Sequence, residues 1–156
     1  MRWWGSPFEV PPEHYDGVVL VGGTELAAPY WGWQAMNPYS GFLAAKPVAN
    51  IGGSILVYEG SADLRPAAAV AHMFKAWDYI GSGDQEPAIQ EALKAEDLAP
   101  EHPCPPYILG IVLARAKRTE AARIQFETSL KLAEAARPEY QELWVTAAKA
   151  QLAILP

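Results

Sequence analysis

The chain has little with which to cross-link, bind polyanions or span a bilayer. One of its 156 residues is cysteine, Cys104, so no disulfide can form within the chain, and the residue reads as a small packing side chain. Lys and Arg number 12 against 18 Asp and Glu, a net charge of −6, and no local basic cluster reverses that sign, which argues against nucleic acid as a partner. Long apolar runs are missing too. The longest uncharged stretch, 26–45, is broken by Pro29, Gln34, Asn37 and Pro38, while the first sixteen residues carry Pro7, Pro11 and Pro12 instead of an apolar stretch of signal-peptide length. The chain as written is therefore expected to be soluble, with neither a signal peptide nor a membrane span.

Catalytic signatures are equally scarce. No serine sits in G-x-S-x-G, and Cys104 lies in a proline-rich linker with only His102 close by in sequence. Gly22–Gly23–Thr24 follows an apolar run but lacks the spacing and the lysine of a phosphate-cradling loop, so it reads as a turn ending a strand. His14 with Glu13 and Asp16 is the densest polar cluster near the start. His72 and His102 lie far from it and show no metal-ligand spacing, so the cluster reads as a polar loop ahead of a strand. No enzyme activity, cofactor or metal is expected.

What the chain does have is 51% hydrophobic residues with 19% charged, enough for a buried core, and a composition change near residue 60. Residues 1–60 hold most of the glycines and four of the six tryptophans. Val18–Gly22 and Ser54–Gly60 read as short strands, with a short helix after Asn37 between them, its Pro38 at the first helical position. A strand, a helical crossover and a second strand favour parallel pairing, hence a small α/β lobe. Residues 61–156 are rich in alanine with 3.6-residue periodicity, which predicts helices at 66–81, 85–98, 106–117, 119–135 and 139–154. Gly83 and the Lys117–Thr119 turn divide the members of each pair, and Pro100, Pro103, Pro105 and Pro106 divide the pairs.

A period of 34 residues runs through the helical part. Ala76 returns as Gly110, and Ala88, Ala92 and Ala95 return as Ala122, Phe126 and Ser129. These residues, with Tyr79, Gly83 and Pro100, resemble the tetratricopeptide repeat family. The second unit departs from the pattern: Leu113 stands for its aromatic, Lys117 for its glycine and Glu134 for its proline, so its second helix should run past the usual stop. The resemblance implies a mostly α fold, a helical hairpin array packed on the N-terminal lobe, with repeats at about 69–102 and 103–136 and a capping helix at about 139–154. It also implies a protein-binding or scaffold function.

In such a stack Met73, Trp77 and Ile80, with Tyr107, Ile111 and Arg115, line the inner face where a peptide binds, unless residues 1–60 fill it. The family's carboxylate-binding version carries cationic and amide side chains there, and Met73, Trp77, Tyr107 and Ile111 take those places. GVVLVGGTEL, Asn37–Tyr39 and IGGSILVYEG also resemble, more weakly, the soluble C-terminal tail of bacterial membrane glycosyltransferases of the mannosyltransferase-like kind. That resemblance implies an accessory domain at the extracytoplasmic face, associated with such an enzyme and touching acceptor or glycan, whereas a stand-alone chain would be cytoplasmic. Trp31 and Trp33 would point to the same side if extended, as a sugar-stacking platform does, although core anchors are the simpler reading.

Overall fold

A computed structural model of the protein describes residues 9–27, 36–136 and 138–155, and the side chains of 138–141 lie outside the description. The described chain is mostly helical with one small antiparallel sheet. It forms two compact units, 1–71 and 72–156, so the boundary falls later than the composition change and inside a helix.

The first unit contains β1 (His14–Gly22), a single helical turn α1 (Gly23–Leu26), a 3-10 turn at Ser40–Phe42, β2 (Ala49–Ile51) and β3 (Ile55–Asp63). Strand order is β1-β3-β2 and both pairings are antiparallel, with β1 running from His14 opposite Asp63 to Gly22 opposite Ile55. This corrects the expected parallel pair, for two local reasons. A parallel crossover needs about a dozen residues, usually an α-helix. Asn37 instead folds its own chain into a tight turn, its Oδ1 accepting the Tyr39 N–H at 2.8 Å, and only the three-residue 3-10 turn follows. The other reason is the pair Gly52–Gly53. At φ of 60° and 76° these glycines turn β2 directly into β3, a conformation that L side chains resist. The lobe is thus a three-stranded antiparallel sheet of order β1-β3-β2 and not an α/β layer. β1 also begins earlier than expected, so His14 and Asp16 are strand residues and not part of a loop.

Alternation along the strands puts Val19 and Val21 of β1 and Tyr58 of β3 on one face, where they pack with Phe42 and Leu64. The Phe42 and Tyr58 ring centroids are 4.8 Å apart. Val18 and Leu20 point the other way and stay exposed.

The helices are α2 (Arg65–Ser82), α3 (Gln85–Leu98), α4 (Cys104–Arg115), α5 (Thr119–Ala135) and α6 (Pro138–Ile154). Residues 72–82 of α2 and the other four belong to the second unit. The structure repeats the 34-residue spacing bond by bond at two turns. After α2, Asp84 N–H reaches the Tyr79 carbonyl at 2.9 Å and Gly83 N–H the Ile80 carbonyl at 3.3 Å. After α4, Arg118 N–H reaches Leu113 at 2.9 Å and Lys117 N–H reaches Ala114 at 3.0 Å. Both are Schellman closures, in which one left-handed residue satisfies the last helical carbonyls. Gly83 supplies it at φ 89°, Lys117 at φ 59°.

The expected overrun is present as well. α3 stops at Leu98, two residues before Pro100, whereas α5 continues through Glu134 to Ala135. Along α3, Ala88, Ala92 and Ala95 are fully buried, as are Ala122, Phe126 and Ser129 along α5.

The two turns differ in strain, because a residue with a Cβ in the left-handed region costs about 1–2 kcal/mol. Gly83→Ala is expected to destabilise the protein by about 1–2 kcal/mol, and Lys117→Gly to stabilise it by up to about 1 kcal/mol, read as shifts of the urea midpoint. Shifts of the same sign would mean that the turns are not equivalent.

Candidate functional site

The N-terminus of α4 is buried, and four orphan N–H groups at a buried helix end are costly. The sequence removes three of them: Pro103, Pro105 and Pro106 have none to offer. Cys104 N–H, the remaining one, donates to His102 Nδ1 at 3.1 Å. Pro103 and its neighbours can therefore sit inside without unpaired donors, which is why α4 starts at Cys104 and not at the expected residue 106. Ser129 Oγ of α5 donates to the Pro103 carbonyl at 2.8 Å, tying α5 to the same corner. The Cys104 sulfur, fully buried, lies 3.5 Å from Met73 Sδ.

From this corner a series of edge-to-face ring contacts crosses the unit. His102 meets Trp144 of α6 at 6.2 Å, Trp144 meets Tyr107 of α4 at 5.6 Å, and Tyr107 meets Phe126 of α5 at 5.7 Å. Gln151 Nε2 donates to the Tyr107 hydroxyl at 3.4 Å. Phe126 presses on Gly110, where an added Cβ would stand 2.7 Å from the ring.

The six residues placed on the inner face by sequence thus separate into two groups. Met73 and Tyr107 are buried, at 5% and 6% exposure, the second under Trp144, and neither presents an anchor to a ligand. Ile80 and Ile111 are half-buried, and so is Trp77, over whose ring the exposed Arg115 stacks, its guanidinium carbon 5.8 Å from the ring centre. Four residues on α2 and α4 therefore remain as a surface row: Trp77, Ile80, Ile111 and Arg115. Sequence reasoning missed that Trp144 packs on Tyr107 and that His102 packs on Trp144. The 34-residue period carries no signal for either, since His102 lies in a linker and Trp144 on the helix beyond the repeats.

Trp31 and Trp33 lie outside the described residues. The ends of their segment are joined, because Asn37 Nδ2 donates to the Leu26 carbonyl at 3.3 Å. Near α3, His72 Nδ1 and Lys94 Nζ lie 2.7 and 2.6 Å from the two carboxylate oxygens of Glu91. Burial opposes charge on Glu91, but the hydrogen bonds from Lys94 and His72 outweigh it and hold the carboxyl below its ordinary value.

A cavity of about 120 Å³ in the first unit is lined by Val19, Phe42, Tyr58 and Lys46 among others, well under the roughly 300 Å³ of a small-molecule site. Among the described residues no three His, Cys, Asp or Glu side chains converge as a metal site, and Glu13, His14 and Asp16 form none. No helix among them is long and apolar enough to cross a membrane. Set against known proteins, the chain matches no family model, no curated protein and no solved structure.

Burial lowers the His102 imidazole to about 4, and its bond from Cys104 N–H requires a bare Nδ1. An unfolded histidine titrates near 6.5, so between those values the unfolded chain holds the proton and the folded chain does not. The stability that neutral His102 contributes is complete above about pH 6.5 and is lost as pH falls toward 4, by up to about 3 kcal/mol. Urea midpoints measured from pH 7 to 4.5 should fall more steeply for the wild type than for His102→Asn. Parallel curves would show that the imidazole is accessible to protons.

Proposed function

We propose that this chain is a non-enzymatic protein-interaction module of the tetratricopeptide-repeat kind, with the row Trp77, Ile80, Ile111 and Arg115 as its contact surface. The observation that carries the reading is the recurrence of one helix-ending turn, dihedral and hydrogen bonds alike, at Gly83 and Lys117 in the 34-residue register. Hairpins repeated at a fixed spacing bury a face that no single hairpin can bury, and the surface they create together is what such arrays use for recognition. The small residues Ala88, Ala92, Ala95, Ala122 and Gly110 support it too, because they permit close helix approach at the positions the period picks out. The contact surface is shorter than six residues because Met73 is buried against Cys104 and Tyr107 against Trp144.

Affinity capture with the full chain tests this. Proteins held by the wild type and by an Ile124→Lys control, on an exposed position of α5 outside the row, should be lost with Ile80→Lys/Ile111→Lys, while thermal unfolding shows all three folded. Retention of the same proteins by the double variant would remove the row from the account.

A further inference from the structure

We infer that the Trp77–Arg115 pair receives the acidic side chain, Asp or Glu, of a partner peptide whose adjoining apolar residue seats on Ile80 and Ile111. The inference rests on the interaction-module reading and names the chemistry of its partner. Arg115 is exposed, and its guanidinium carbon lies 5.8 Å from the Trp77 ring centre, an attraction that holds the group near the ring while solvent-facing N–H groups remain able to meet a carboxylate. Among the described residues Arg65 pairs with Asp63, Lys94 with Glu91 and Arg118 with Glu86. Arg115 is in no such pair among the described residues and lies instead over the Trp77 ring.

A carboxylate arriving there gains a charge-assisted, two-pronged bond next to low-dielectric surface, which strengthens it relative to the same bond in water. The protein's own negative charge disfavours a polyanion such as nucleic acid, and one guanidinium is matched by a single acidic side chain. A chain-end carboxylate would call for further donors along the row, where Ile80 and Ile111 offer none.

Selection of a random 12-residue peptide library, displayed with its C-terminus fused so that no chain-end carboxylate is free, tests this on the 156-residue chain. Wild-type selections should be enriched in Asp or Glu beside a large apolar residue, and the enriched peptides, made synthetically, should bind Arg115→Gln roughly tenfold or more weakly, with Arg115→Lys between. Arg115 is exposed, so these variants should melt with the wild type. Selected peptides without acidic preference, or binding Arg115→Gln as tightly as wild type, overturn this inference while the module reading survives if Ile80→Lys/Ile111→Lys abolishes binding. A library from which nothing is enriched on the wild type counts against the module reading itself.

Discussion

The ring of Phe126 lies against the bare Cα of Gly110, and the packing of the second unit depends on that approach. A β-carbon at Gly110 would sit 2.7–3.0 Å from three atoms of a ring with no exposed surface. Because α4 carries hydrogen there, α5 comes close enough for Phe126 to meet Tyr107 edge-on, Tyr107 to support Trp144, and Trp144 to cover His102. Four aromatic groups from three helices and a linker are thereby packed without regular sheet or disulfide. The cost is a glycine in mid-helix, about 1 kcal/mol relative to alanine, offset by aromatic burial several times larger.

The same packing sets the limits of the surface. Trp144 closes over Tyr107 and leaves Trp77, Ile80, Ile111 and Arg115 in contact with water. Burial of α4 in turn demands that its first N–H groups be accounted for, which three prolines and the neutral imidazole of His102 accomplish. The exposed row, the helix start and the expected pH sensitivity thus follow from one close helix pair.

Much of the helical unit was legible in the sequence because its signals are local. Gly83 marks a left-handed turn, Pro100 a stop, and the absence of proline at Glu134 a longer helix, and α3 and α5 occupy the expected residues. The sheet was misread for an equally physical reason. Glycines beside an apolar run bracket a strand or turn a hairpin, and only the pairing of Ala49–Ile51 with Ile55–Val57 shows that Gly52 and Gly53 turn. The candidate row was half legible: helical spacing places Met73 and Tyr107 beside Trp77 and Ile111, but nothing local reveals that Trp144, 37 residues beyond Tyr107, folds over it.

A double-mutant cycle on Gly110 and Phe126 measures the central contact. In the wild-type background Gly110→Ala adds a good helix former yet drives a methyl into the ring, so it should destabilise by about 1–3 kcal/mol. With Phe126→Leu already in place the obstruction is gone, and Gly110→Ala should become neutral or stabilising by up to about 1 kcal/mol, a coupling of roughly 1–3 kcal/mol. Equal losses of stability in both backgrounds would show that the Gly110–Phe126 approach does not organise the helices.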